Sequence, residues 1–287
     1  MRGAVDSIML KILNENTVKS GSKKLVAEHG LSIYVEAKSG NEVFRMLADV
    51  GQSGEVIFKN ASVMGVDLKS VDTVFISHGH YDHAGGLLNV IEKLGKVKVY
   101  VHPLAIRRRF KVIKGELIEV TPEYAEEDLR RCGAEVVHIK EPYEVFPGIM
   151  FSGEVKRYLP LEVKENYFVK ENGELKPDNF SDDQSIFINV KNKGLVVLTG
   201  CAHAGVVNIL MYAREVSQIE DIHAVVGGFH LEPLPAETRM EIVRKLKEIN
   251  PQLLYPCHCT GFEPIFELRK ELGTKVKQIT TGDTLEF

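Results

Sequence analysis

Four residues of metal-ligand type fall within six consecutive positions: His78, His80, Asp82 and His83, in the run Ser77-His78-Gly79-His80-Tyr81-Asp82-His83. Imidazole nitrogen and carboxylate oxygen suit zinc, manganese and ferrous iron alike, so donor type does not choose the metal. A loop leaving a strand can aim His78 and His80 at one ion and Asp82 and His83 at a neighbour. Gly79 and the pair Gly85-Gly86 permit the tight backbone this needs. The run therefore reads as a seat for two divalent ions. A later histidine, His230, follows Gly227-Gly228-Phe229. In that position it can bind metal, contact a substrate phosphate or hand over a proton.

The elements that must position these residues follow from local pattern. Residues 33–36 and 43–47 flank Ser39-Gly40-Asn41 as a hairpin whose second strand delivers Asp49. A short helix is expected over 56–64, and an apolar strand over 71–76 stops at Ser77-His78. A helix follows from Ala84-Gly85-Gly86 to about Leu94, then a strand over 97–101. From 106 to 183 the pattern weakens into charge runs and scattered prolines, and is read as an elaborated insertion or lid. The rhythm returns with a hairpin over 185–190 and 195–199, a helix near 205–216 and a strand over 224–226. Ile242, Val243, Leu246 and Ile249 then share a helix face ended by Asn250-Pro251, and a last strand spans 253–255. Two strand-rich halves facing one another with helices outside make an αββα sandwich, taken as a single domain over 1–287.

Composition narrows the class. The 287 residues are 44% hydrophobic and 26% charged, the balance of a chain that buries a real core. A net charge of −4 lacks the basic surplus that binding along nucleic acid requires. Residues 1–13 are broken by Asp6, Ser7 and Lys11 and fit neither a signal peptide nor a membrane span, so a cytoplasmic location is expected. Cys257 and Cys259 are separated by one residue, an awkward disulfide pair, which favours free thiols or a metal role.

The run His78-Gly79-His80-Tyr81-Asp82-His83, with Asp49 before Gly51, resembles the His-X-His-X-Asp-His motif and the strand-end Asp of the metallo-β-lactamase superfamily. Three further stretches sharpen the resemblance: Thr199-Gly200-Cys201-Ala202-His203-Ala204-Gly205 with Asn208, Gly227-Gly228-Phe229-His230-Leu231, and Pro256-Cys257-His258-Cys259-Thr260-Gly261. They are similar to the branch named for 7,8-dihydropterin-6-methyl-4-(β-D-ribofuranosyl)aminobenzene-5′-phosphate synthase, a methanopterin-pathway activity. The resemblance implies the four-layer αββα fold, ligand roles for His203 and His258 beside the first four, and a hydrogen bond from Asp49 that fixes a ligand tautomer. In one place the pattern departs. The superfamily commonly carries a bridging Asp after a strand-end Gly, and here Gly200 is followed by Cys201. Either Cys201 takes that place as a thiolate, which favours zinc, or the bridge is water alone, which leaves manganese and iron in contention.

The expected activity is a metal-dependent hydrolase acting on a small ester or phosphate-bearing substrate, with Asp82 orienting water and His230 at the reacting groups. No Gly-X-Ser-X-Gly nucleophile motif competes with it. The alternative is a pterin transferase that uses the same two metals on a departing diphosphate. Arg107-Arg108-Arg109 read first as a solvated face, and if the substrate carries phosphate they become candidates to reach it from the irregular middle. Ser181-Asp182-Asp183-Gln184 is read as a turn and cap, and the isolated His29, His102, His138 and His223 as solvated or core-satisfied.

Overall fold

The structure, a computed structural model, describes residues 1–161, 166–171 and 173–287. The first half supplies β1 (Ser7–Asn14), β2 (Ser32–Ser39), β3 (Glu42–Ala48), α1 (Glu55–Val63), β4 (Thr73–Phe75), α2 (Tyr81–Ala84), α3 (Leu87–Leu94) and β5 (Val97–Val101). The middle supplies β6 (Arg109–Ile113), β7 (Glu116–Glu119), α4 (Glu126–Arg131), β8 (Ala134–His138), β9 (Tyr143–Phe146), β10 (Ile149–Phe151), β11 (Tyr167–Glu171) and β12 (Glu174–Pro177). The second half supplies β13 (Ser185–Val190), β14 (Gly194–Thr199), α5 (Val206–Ser217), β15 (Ile222–Gly228), α6 (Ala236–Ile249), β16 (Leu253–Cys257), α7 (Phe262–Leu272) and β17 (Thr284–Glu286).

One sheet runs β17-β1-β2-β3-β4-β5-β8 and the other β16-β15-β14-β13-β10-β9. Side chains decide the layering. In β14 the run Leu195-Val196-Val197-Leu198 is buried throughout. Val196 and Leu198 share one core with Leu10, Val35 and Phe75 of the opposite sheet, while Leu195 and Val197 share another with Leu210 of α5 and Leu246 of α6. A strand covered on both faces reads as a continuous apolar run rather than an alternation. In the first sheet Phe75 faces the inter-sheet core, and its neighbour Val74 faces Ile57 of α1 and Val90 and Ile91 of α3. Helix, sheet, sheet, helix is the αββα order.

The strand β1 went unread in the sequence, yet it pairs with both β2 and β17 in the first sheet. The helix expected after the histidines is α3, and a further short helix, α2, precedes it and carries Asp82 and His83. The stretch 106–183 also divides. β8 joins the first sheet, β9 and β10 join the second, and β12-β11-β6-β7 form a separate four-stranded sheet.

Strand direction positions the site. β3, β4 and β5 are parallel neighbours, as are β14, β15 and β16, so the loops after β3 and β4 leave one edge together and those after β14, β15 and β16 leave another. Those two edges meet. Among the described residues no helix is long and apolar enough to cross a membrane.

Candidate metal centre

Asp49, buried at the end of β3, organises the histidine loop. Its Oδ1 accepts the Ser77 N–H at 2.7 Å, and its Oδ2 accepts the Ser77 hydroxyl at 2.7 Å and His83 Nδ1–H at 2.7 Å. Because the Ser77 hydroxyl donates to Asp49, it is left to accept from His78 Nδ1 at 2.9 Å. One carboxylate thus sets the tautomers of His83 directly and of His78 through Ser77, leaving the Nε2 lone pair of each facing the cleft. Gly200 must be glycine here, since a Cβ would lie 2.1 Å from Ser77 Oγ.

His78, His80 and His203 form the first group. His78 Nε2 lies 3.0 Å from His80 Nδ1, and the His203 ring centroid is 4.9 Å from each of theirs. Tyr167 stacks on His80 at 4.9 Å and Phe180 on His203 at 4.2 Å, which fixes both rings. Burial drives the basicity of His78 and His203 well below the ordinary range and that of His80 down to about 3, so all three are neutral.

Asp82, His83 and His258 form the second. His83 Nε2 is 3.1 Å from His258 Nε2, and Asp82 Oδ2 lies 3.8 Å from the first and 3.3 Å from the second. His258 Nδ1 contacts Asn16 Oδ1 at 3.0 Å, an oxygen that also accepts the Gly30 N–H, and Glu15 accepts the His258 backbone N–H at 2.8 Å. Burial lowers His83, but the carboxylates of Asp82 and Asp49 raise it further, to about 9. Burial would raise the Asp82 carboxyl, yet His83, His258 and His29 hold it well below the usual carboxylate range.

The donors fit a divalent cation. With Nδ1–H of His83 given to Asp49 and Nδ1–H of His258 given to Asn16, two ring nitrogens and a carboxylate oxygen converge, and a cation that displaces the remaining His83 proton meets two lone pairs and a negative charge. Both ring nitrogens of the buried His203, and Nε2 of the buried His80, have no hydrogen-bond partner among the described residues. Buried imidazole left in this way is costly unless something else is bound. Asp49, Ala202, His230 and His258 all take left-handed backbone, with φ of 58°, 61°, 47° and 52°. Strain of this kind at four strand ends accompanies functional placement.

Cys201 occupies the space between the groups, its Sγ 3.1 Å from His83 Nε2 and within ligand range of His78. Burial pushes its thiol up. His230 also lines the cleft floor, its ring 4.3 Å from that of His203.

The arginines depart from expectation. Arg109 is 0% exposed, paired with Asp178 at 2.8 Å and Asp182 at 2.6 Å. Arg107 pairs with Glu171 and Arg108 with Glu119. None of the three lines the cleft, and each charge is met by a carboxylate. Arg109 instead supports the metal loop. Asp182 accepts the Gly79 N–H at 2.9 Å, and a Cβ on Gly79 would fall 1.7 Å from Ala105 O. Asp183 accepts the Ala204 N–H at 3.0 Å, so the segment read as a turn and cap ties both histidine loops together.

A cavity of about 830 Å³ opens onto the groups, lined by His80, Asp82, Cys201, His230, His258 and Cys259 on the floor. Lys111 and Ile113 of β6, Ile118 of β7 and Tyr167 of β11 form another wall, which gives the small sheet its place over the cleft. His29, read as an isolated histidine, also lines it, with Nε2 3.3 Å from Asp82 Oδ2. No local spacing joins His29 to Asp82. Only the resemblance of the second-half loops could have pointed at His203 and His258, and nothing pointed at Asn16 and Glu15.

A family model described as the metallo-beta-lactamase superfamily matches residues 44–156. A Methanocaldococcus jannaschii protein named 7,8-dihydropterin-6-methyl-4-(beta-D-ribofuranosyl)-aminobenzene-5′-phosphate synthase is 29% identical over 99% of this chain and 98% of its own length. An uncharacterized protein of the same organism is 33% identical over 91% of this chain and 93% of its own. A crystal structure described as a metal-dependent hydrolase of the beta-lactamase superfamily matches with a TM-score of 0.82 at 30% identity, covering 98% of this chain and 99% of that one. The chain belongs to the metallo-β-lactamase superfamily. Membership implies divalent metal at this cleft, where the donor set described above fits it.

Proposed function

We propose that the protein is a dinuclear metal-dependent hydrolase of small ester or phosphate-bearing substrates. The observation that carries this reading is the convergence of two three-residue donor groups on one open cavity. His78, His80 and His203 would hold one ion and Asp82, His83 and His258 the other, zinc first, with manganese or iron as the alternatives. Such a pair supplies Lewis acidity and brings the pKa of water down toward about 7. Asp82 orients water, with His29 donating to the same carboxylate from the cavity side. Asp49 and Ser77 hold the imidazoles in the tautomers that present lone pairs. The cavity volume lies within the range that takes small organic ligands, and Lys111 is the lysine or arginine that lines it among the described residues. Substrate phosphate is therefore assigned to Lys111 rather than to Arg107, Arg108 or Arg109. Four unpaired cysteines suit a reducing compartment such as the cytoplasm.

A second reading, transfer to or from a pterin, has one observation in its favour: the relative matched over 99% of the chain is named for a synthase of a pterin-bearing phosphate. The same residues would then hold metals that stabilise a departing diphosphate. The test is metal content by mass spectrometry on protein purified without added metal, with turnover of ester and phosphoester panels by the parent and Asp82→Ala. About two ions per chain and hydrolysis that falls in the variant support the first reading. Unchanged turnover in Asp82→Ala with metal retained sinks it. Binding of a dihydropterin by protein that hydrolyses nothing selects the second.

A further inference from the structure

Cys201, His230 and Cys259 make a third donor group on the cavity floor that neither reading uses. Their ligand atoms lie within 4.8 Å of one another, and all three residues line the cavity. They come from three strand ends: Cys201 after β14, His230 after β15 and Cys259 after β16. The backbone is shaped around the sulfur atoms. A Cβ on Gly228 would lie 2.6 Å from Cys259 Sγ and 3.3 Å from the Cys201 Cα, so the missing side chain is the space that lets the two cysteines approach. His230 reaches the group only through its left-handed backbone, φ 47°. Cys259 Sγ is 3.5 Å from the Cys201 carbonyl oxygen, and its thiol is hydrogen-bonded to His230.

We propose that Cys201, His230 and Cys259 form a separate binding site for a thiophilic metal ion such as zinc, cadmium or cuprous copper, beside the histidine and aspartate groups. Two thiolates and an imidazole are the donors such ions select, whereas manganese and magnesium prefer oxygen. Three protein ligands facing an open cavity leave a fourth position for a small molecule. Cys201, with Sγ 3.1 Å from His83 Nε2, stands where the sulfur site adjoins the second donor group.

The inference rests on the dinuclear reading only for its neighbour, and cadmium separates the two. Nitrogen and oxygen ligands give no sulfur-to-cadmium charge-transfer band in the ultraviolet, so the band reports the thiolates alone. Reduced parent protein, Cys259→Ser, His230→Ala, Cys201→Ser and His80→Ala are titrated with cadmium, with bound metal counted by mass spectrometry and folding followed by thermal unfolding. The expected result is one more bound cadmium in the parent than in Cys259→Ser, with the band lost in both Cys259→Ser and Cys201→Ser. His230→Ala should weaken cadmium uptake at the sulfur band at least tenfold. His80→Ala should lose metal at the histidine groups while keeping the band. A band that survives in Cys259→Ser and vanishes only in Cys201→Ser overturns the proposal, because Cys201 then serves the histidine centre. Full metal retention in His80→Ala with the band intact refutes the dinuclear reading and leaves the sulfur site standing.

Discussion

His78, His80 and His203 meet as three neutral imidazoles walled by Tyr167 and Phe180, whereas His83 and His258 meet beside the Asp82 carboxylate with Asp49 behind them. Burial governs the first group, and with no carboxylate in it every ring is pushed toward the uncharged form. In the second the same burial is outweighed by two carboxylates, and His83 moves the other way, to about 9. One loop therefore builds two environments: a prepared set of lone pairs and a set that already carries negative charge. The difference predicts that the groups respond separately to mutation and to protons, except where a shared support is removed.

Asp49 is that shared support, and Asp49→Ala should have the largest effect. It leaves the Ser77 N–H, the Ser77 hydroxyl and His83 Nδ1–H without their acceptor, at about 1–3 kcal/mol each. Metal affinity should fall about 10–100-fold at both groups, read by chelator competition. If only one group weakens, Asp49 does not couple them. Next comes Arg109→Ala, which strands the buried carboxylates of Asp178 and Asp182 and should cost about 3–5 kcal/mol in denaturant unfolding. Arg108→Ala, at an exposed pair with Glu119, should stay within about 0.5 kcal/mol. Equal losses in the two would remove the distinction between a loop support and a surface charge. Asp82→Ala is narrower still: it should lower bound metal from about two ions to about one, the first group keeping its ion. Loss of both ions would mean that the groups are not independent.

Each group was legible from spacing in two of its three donors. His78, His80, Asp82 and His83 fall within six positions, so their spacing alone reads as a metal loop. The strands behind them were readable for the same local reason, since β14 and the β2-β3 hairpin carry apolar runs that burial demands. The residues that fix His258 were not. Glu15 and Asn16 follow β1 and act across more than two hundred residues, and no periodicity encodes such a meeting. The four-stranded sheet was hidden for another reason. β7 and β12 are exposed along their whole length, so they lack the apolar alternation by which a strand is recognised. Arg109 was misjudged because a run of charges looks solvated until the carboxylates about 70 residues away are in place.

A last effect separates the groups without any mutation. A metal ion needs a deprotonated imidazole, and in the metal-free second group His83 holds its proton up to about pH 9. Binding there at pH 7 to 8 must displace that proton, so affinity should rise about tenfold for each pH unit until pH 9 and level off above it. In the first group His80 is uncharged above about pH 3 and its partners are held neutral by burial, so no proton leaves and affinity should be flat over the same window. Calorimetric titration in two buffers of different ionisation enthalpy measures the protons directly. About one proton released with one ion and none with the other sustains the contrast. Equal release at both steps would mean that the Asp49 and Asp82 carboxylates do not set the second group apart.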